Sequence, residues 1–410
     1  RAQGYMRLTL AVLLAAQPAF GVSLWSSADG SRYWALDTAL KWSALSSHAP
    51  DAPLLYPKRW SSAVLGRGRL ALRGQAAADL HVRLAYEQRV RAVSTGAGAG
   101  GGAGILVPES SASYRLRQLD DALATGENAT YRHELDRAFV AWRLGRGELQ
   151  IGRQAIGWGR GVLFGAVDIF APFNPLESDR EWRRGVDALR VSVPLADRFS
   201  LDAVAACGES VDESAFVGRL YGHSGALDGE LLLGRRRGDR FVGTAASMRI
   251  RGAEMHGELA SFKTPATEGD EVVLKALWGG SYAWDTQGGL LLVGEYHFSG
   301  FGVSDIADLA AAPYLARLVQ GDAQILGRHA GAVQLSQGIT GTVPRTLGWL
   351  FSPLDGSGVL TGVVTWIFSD ALTLAASAYW PYGERPDGVV LRSEYGGGAK
   401  SGLVQMSFYY

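Results

Sequence analysis

Apolar and polar positions take turns along almost the whole chain. In VLTGVVTWIF (359–368), Leu360, Val364, Trp366 and Phe368 fall on one side, and Thr361 and Thr365 on the other. GLLLVGEYHF (289–298) sets Leu290, Leu292, Gly294, Tyr296 and Phe298 against Glu295 and His297. A period of two is the mark of a strand with two unlike faces. Such segments recur near 33–43, 62–74, 79–91, 132–144, 148–156, 185–195, 199–208, 214–222, 229–237, 239–250, 252–262, 271–284, 289–298, 326–337, 346–352, 358–369, 371–381 and 399–410. A longer helical period is conceivable only within 304–320.

The links between segments are of two kinds in alternation. Tight ones include 75–78, 145–147, 196–198, 285–289 and 369–370, and long ones 92–131, 157–184, 299–325 and 382–398. A soluble sandwich also alternates, but it hides its apolar face between two sheets. Here that face is Leu, Val, Ala and Gly, with aromatics near strand ends at Trp142, Trp366, Phe368, Trp380, Phe408 and Tyr410. This is the arrangement of a lipid-facing surface between aromatic girdles. The expected fold is all-β: a transmembrane antiparallel β-barrel of about 18 strands (16–18, with 214–237 and 346–352 the weakest), short periplasmic turns and long extracellular loops.

The opposite face is polar. Arg67, Arg69 and Arg73 share one side of a strand whose other side carries Leu70 and Leu72, and Arg83, Arg137, Arg143 and Arg190 repeat the pattern elsewhere. A charge on the lipid side costs ~2–4 kcal/mol. These arginines are therefore expected to line a lumen, hydrated because dry burial would need near-complete pairing.

Before the first strand, Arg7 precedes the apolar run Leu8 to Ala16, and Ala19 and Gly21 supply the small residues of a cleavage site. Residues 1–21 read as a secretory signal peptide and 22–410 as a single barrel. The 40 basic and 40 acidic residues balance, which gives no footprint for nucleic acid. Among the basic residues only five are lysine. Arginine forks suit carboxylate and phosphate, although the bias also fits a GC-rich genome. Cys207 is the only cysteine, so neither a disulfide within the chain nor a CxxCH haem site is available.

The last ten residues, SGLVQMSFYY, alternate through Gly402, Val404, Met406, Phe408 and Tyr410. This resembles the C-terminal strand of Gram-negative outer-membrane β-barrels, which the barrel-assembly machinery reads. The stretch 152–185, GRQAIGWGRGVLFGAVDIFAPFNPLESDREWRRG, looks like a segment of porin-like outer-membrane proteins in which a GRQ strand runs into a WG turn and an Asp-aromatic-Pro loop. The resemblance implies the outer membrane of a Gram-negative bacterium and contact with its lipids, and says little of cargo.

The glycines at 157, 159 and 161 invite comparison with a phosphate cradle, but Val162 and Phe164 stand where GxGxxG needs glycine, and no Gly-Lys-Ser/Thr follows. The glycine run 96–104 reads as an exposed flexible loop. Residues 157–184 read instead as a loop folded into the pore, with Arg160, Asp168, Asp179, Arg180, Glu181, Arg183 and Arg184 setting opposite charges across a constriction, against the plainer reading of an outward loop whose charges pair among themselves. Glu254, His256 and Glu258 share a strand face and are weak metal candidates, since alternate residues stand about 6.6 Å apart. His223 and Ser224 are adjacent on a strand end and point apart, so they make no nucleophile–base pair there. The expected function is a porin-like channel for passive or weakly selective diffusion of small polar or anionic solutes, without cofactor. A structural barrel sheathing or docking another exported protein is the alternative, an outer-membrane hydrolase a lesser one, and association into homo-oligomers is left open.

Overall fold

The computed structural model describes residues 21–94, 104–106, 113–268, 271–286, 288–319, 321–339 and 341–410. The leader expected at 1–21 and the glycine run 96–104 lie, but for Gly21 and Gly104, outside the described residues. Among the described residues, twenty strands form one antiparallel sheet. They are β1 (Val22–Ser26), β2 (Tyr33–His48), β3 (Trp60–Ala77), β4 (Leu80–Val93), β5 (Ala122–Thr125), β6 (Ala129–Leu144) and β7 (Gly147–Gln154). Next come β8 (Val186–Ala196), β9 (Phe199–Ala206), β10 (Ala215–Ser224), β11 (Leu227–Arg236), β12 (Asp239–Ile250), β13 (Ala253–Lys263) and β14 (Val272–Trp284). The rest are β15 (Leu290–Ser299), β16 (His329–Gln337), β17 (Arg345–Phe351), β18 (Gly358–Ser369), β19 (Leu372–Tyr382) and β20 (Lys400–Tyr409).

Eighteen of these close a ring, because β2 pairs with β3 on one side and with β20 on the other, from Ala39 facing Tyr409 to His48 facing Lys400. The other two stand outside it. β1 pairs with β2 along residues 33–36, where β20 has already ended, and β5 pairs with β6. The weak segments 214–237 and 346–352 are full members of the ring, as β10, β11 and β17, so the count is eighteen. One boundary differs from the pattern reading: β16 starts at His329, since residues 300–328 leave the wall as a loop holding a 3-10 turn at Ile306–Ala311 and a helical turn at Leu315–Val319.

Alternation is carried out faithfully by the fold. On β2, β3 and β20, Leu40, Trp42, Val64, Leu70, Val404 and Met406 are exposed, while Lys41, Ser43, Arg67, Arg69 and Leu403 between them are buried. Closing the sheet leaves no open edge and gives every wall residue an inside or an outside. Aromatics crowd both rims of the outer face: Phe199, Trp142 and Phe368 toward the short turns, Trp60, Trp349 and Trp380 toward the long loops.

The interior is uneven. Toward the long loops it is packed with side chains from residues 104–106 and 113–121, from 155–185, from the described part of 300–328 and from 383–399. Trp158, Phe170, Tyr114, Phe301 and Tyr314 join wall residues Phe241 and Phe262 in one apolar cluster. Ile105, Phe164, Ile325 and Tyr395 join Leu350, Tyr379 and Leu403 in another. Toward the short turns the inward residues, among them Gln150, Thr365, Ser336 and Thr346, stay partly exposed.

Candidate functional site

Loop 155–185 leaves β7, crosses the interior and returns to β8. Gly159 (φ +106°) turns the chain where no Cβ would fit: one there would lie 2.6 Å from Glu258 Oε1. A Cβ on Gly161 would strike the carbonyl of Phe164. With both glycines in place, the backbone itself comes within bonding distance of two carboxylates on the far wall. Glu258, on β13, accepts from the amides of Arg160 and Gly161 (2.7 Å) at Oε1, and from Ala166 (2.6 Å) and Val167 (3.1 Å) at Oε2. Glu295, on β15, accepts from Val162 (2.6 Å), Leu163 (2.9 Å) and Phe164 (2.9 Å), and its Oε1 also meets His256 Nε2 at 2.9 Å. Both carboxylates are buried. Peptide N–H donors supply the partners of both carboxylates here, and hydrogen bonds to a carboxylate are stronger than those between neutral groups.

The returning limb binds the opposite wall through side chains. Asp179 meets Lys41 at 2.9 Å and Arg67 at 2.7 Å. Glu181 meets Lys41 at 2.5 Å and accepts from Tyr409 at 2.7 Å. Between them the Trp182 ring receives Lys41 Nζ at 4.1 Å, with Arg69 at 4.8 Å and Arg67 at 5.2 Å. Cations over an indole face are attracted by its quadrupole. Burial works to raise the Asp179 carboxyl, but Lys41 and Arg67 outweigh it and hold it down at about 2.

Of the remaining loop charges, Asp168 pairs with Arg183 inside the loop, and Arg183 also donates to the Ala171 carbonyl at 2.8 Å. Arg180 spends its guanidinium on the carbonyls of Asn174 (3.1 Å) and Pro175. Burial lowers the pKa of Arg184, which lies in the field of Glu134. Arg160 engages through its backbone. Loop and wall together leave a charged gap of about 10 Å³, room for one water, lined by Arg67, Glu87, Arg89, Glu134, Asp136, Glu177, Asp179, Trp182 and Arg184.

The arginines expected to line a wet lumen all point inward, yet they differ in surroundings. Arg67 pairs with Glu87 at 2.9 Å, Arg69 with Asp136 at 2.7 Å, Arg137 with the neighbouring Asp136 at 2.7 Å, and all three are buried. Arg190 meets Asp202 at 2.7 Å and half-exposed Arg73 meets Asp37 at 3.1 Å. Arg83 and Arg143 make no ion pair among the described residues. The expectation of hydration corrects accordingly: near the loop the charges are dry because the wall supplies an acid for nearly every arginine. A bulge in the β4–β6 register at Ala85/Tyr86 lets both Asp136 and Arg137 face inward from consecutive positions.

The three residues weighed as metal ligands also face inward, but Glu258 is taken up by the loop and His256 by Glu295, leaving Glu254 apart. Among the described residues no set of three His, Cys, Asp or Glu side chains converges on a metal position. Sequence reasoning did not find the Glu258 and Glu295 clasp. The available signal was two inward carboxylates with no arginine or lysine at the neighbouring inward positions of their own strands, opposite a glycine-punctuated loop.

No family model matches the chain, and no curated protein resembles it in sequence. Solved structures do resemble it. Pseudomonas aeruginosa OccK9 (OpdG) matches with a TM-score of 0.56 at 9% identity, over 92% of this chain and 98% of that one. OccK11 (OpdR) of the same organism gives 0.53 at 11% identity, over 92% and 95%. Acinetobacter baumannii OccAB4 gives 0.50 at 9%, over 92% and 97%. At such identity the likeness is one of fold: this chain shares the closed eighteen-strand antiparallel barrel of those proteins across nearly its whole length.

Proposed function

We propose that the protein is a porin-like channel of a Gram-negative outer membrane, and that loop 157–184 is its constriction. The observation that carries this reading is the double anchorage of the loop. One limb is held by seven backbone amides on Glu258 and Glu295, the other by Asp179 and Glu181 on Lys41 and Arg67. A loop fixed at both walls narrows the passage without closing it by chance motion, and places charges of both signs at the narrowest level, where they act most strongly on a permeating ion. The outer apolar face, rimmed by aromatics, supports residence in a bilayer. Small polar or anionic solutes are the cargo class. Arg83 and Arg143, without ion pairs among the described residues, and the partly exposed Arg73 and Arg190 favour anions on the short-turn side of the loop.

The test is single-channel recording of refolded protein in planar bilayers, with reversal potential read in a salt gradient. Discrete conductance with anion preference is expected, and clear cation selectivity would sink the selectivity assignment. The packed long-loop half of the interior favours one alternative, a non-conducting barrel that docks another exported protein. Stable insertion without any conductance would decide for it.

A further inference from the structure

A second concave site lies on the outside of the barrel, at the long-loop rim, away from the constriction. It is a pocket of about 360 Å³ between loops 49–59 and 383–399, lined by His48, Arg59, Trp380, Tyr382, Arg385 and Lys400 among others. The wall residues come from three neighbouring strands and all belong to the outward set: His48 on β2, Lys400 opposite it on β20, Trp380 and Tyr382 on β19. Lys400 Nζ sits 3.9 Å from the centroid of the Trp380 ring. The His48 ring lies 4.6 Å from that of exposed Trp60.

The electrostatics are one-sided. Arg59, Arg385 and Lys400 make no ion pair among the described residues, and no lining residue is acidic. Acids of the two flanking loops turn elsewhere: Asp387 pairs with Arg392 at 2.8 Å, and Glu394 is occupied by the amides of Leu326 (2.7 Å) and Gly327 (2.6 Å). Asp51 and Glu384 are exposed to solvent. Around the constriction loop the inward-facing arginines Arg67, Arg69 and Arg137 are matched by carboxylates, so a concave cluster of three unmatched cations stands out. Its position adds the second half of the argument. Just below it, on these strands and the adjoining β3 and β18, the outer face is the apolar surface of Trp42, Val404, Val64 and Leu360. An occupant seated here presents an anion to the pocket and hydrocarbon to the wall beneath.

We infer that this pocket binds the phosphorylated headgroup of an outer-leaflet lipid, with Arg59, Arg385 and Lys400 around the phosphate and Trp380 at the headgroup–acyl boundary. Arginine forks and an ammonium suit a phosphate's several oxygens, and indoles settle at the interface between headgroup and hydrocarbon. The inference rests on the membrane reading above but not on conduction.

The experiment uses the full chain in nanodiscs. Mixed discs of phosphatidylcholine and phosphatidic acid are stripped to detergent micelles, and retained lipid is counted by native mass spectrometry. Wild type is expected to retain phosphatidic acid over phosphatidylcholine by about tenfold or more, from several basic residues acting near one surface. Arg59→Gln/Arg385→Gln/Lys400→Gln should abolish the preference, and Lys400→Gln alone should weaken it. Arg240→Gln, an exposed cation on the same rim at β12, should leave it intact. Equal retention of both lipids, or loss equally caused by Arg240→Gln, would overturn the inference. So would displacement by millimolar inorganic phosphate, which would make the site one for free phosphate. Heat-shifted gel mobility and bilayer insertion are read in parallel: failure to insert strikes at the membrane reading, whereas insertion without lipid preference strikes only at this site.

Discussion

Truncating Glu258 tests the loop's anchorage directly. Its carboxylate accepts four backbone amides from residues 160–167. Hydrogen bonds to a charged acceptor contribute ~1.5–3 kcal/mol each, and a buried donor left unpaired costs ~1–3 kcal/mol. Four such bonds do not add, because they share one carboxylate and the freed limb can turn its amides to water. A local loss of about 3 kcal/mol is a reasonable figure, or roughly a hundredfold in the opening equilibrium. Glu258→Ala should therefore speed hydrogen exchange of the 160–167 amides by about two orders of magnitude. Glu258→Gln retains one acceptor oxygen and should fall between. The ring itself, with each strand paired on both sides, should keep its melting behaviour.

Exchange is read by mass spectrometry on peptides covering 158–168, with β13 and β15 as internal controls. The same variants should show noisier or enlarged open-channel current. Unchanged protection of 160–167 in a folded Glu258→Ala/Glu295→Ala double variant would refute the clasp, and with it the account of what holds the constriction. If instead the whole barrel loses protection, the two carboxylates are needed for assembly rather than for loop position.

Three further outcomes are expected. Asp179→Asn leaves Lys41 and Arg67 without their loop acid, and the reversal potential should move toward stronger anion selectivity; no movement would mean permeating ions do not pass this level. Gly159→Ala forces a side chain into an unfavourable backbone region and against Glu258, so it should reproduce the exchange phenotype of Glu258→Ala without touching either carboxylate. Glu394, in loop 383–399, is pushed up by burial to about 7 from 4.5. The folded form thus holds the proton more tightly than the unfolded one, so the docking of this loop on 326–327 is strongest below pH 4.5 and weakens as pH rises through about 7. Protease nicking of loop 300–328 should be slower at pH 5 than at pH 8, and Glu394→Gln should flatten that dependence.

The wall was legible in the sequence because a barrel strand has to alternate. The inward and outward assignments on β3, β15 and β18 follow from period two up to the irregularities at Gln75/Ala77 and Ile367/Ser369, and the longest loops mark one rim. The short strands β1 and β5 escaped because four or five residues give too few alternations to separate from loop. The charged interior was half legible. Arg67 and Arg69 are inward on pattern alone, but that Glu87 and Asp136 sit across from them depends on register. A bulge such as the one beside Asp136 shifts register without leaving a mark on composition. The clasp was hidden for a different reason: its donors are backbone amides, and a peptide N–H has no residue type to notice.

That hidden clasp bears on how selectivity is to be read from an arginine-rich chain. Counting inward arginines predicts a strongly anion-attracting lumen, but a guanidinium held between two carboxylates contributes little net field at a distance, since its charge is cancelled within a few ångströms. Around the loop, Arg67 (Glu87 and Asp179) and Arg69 (Asp136 and Glu87) are held in this way, and Arg137 meets the single carboxylate of Asp136. Their carboxylate partners hold them in fixed rotamers that a returning loop can meet, as Asp179 does. The paired arginines on this view set the shape of the passage, and the few unmatched ones, Arg83 and Arg143, set its charge. Arg83→Gln/Arg143→Gln should then cut anion preference while leaving conductance nearly unchanged, whereas Arg67→Gln should disturb conductance first, because it releases Asp179 and the limb behind it.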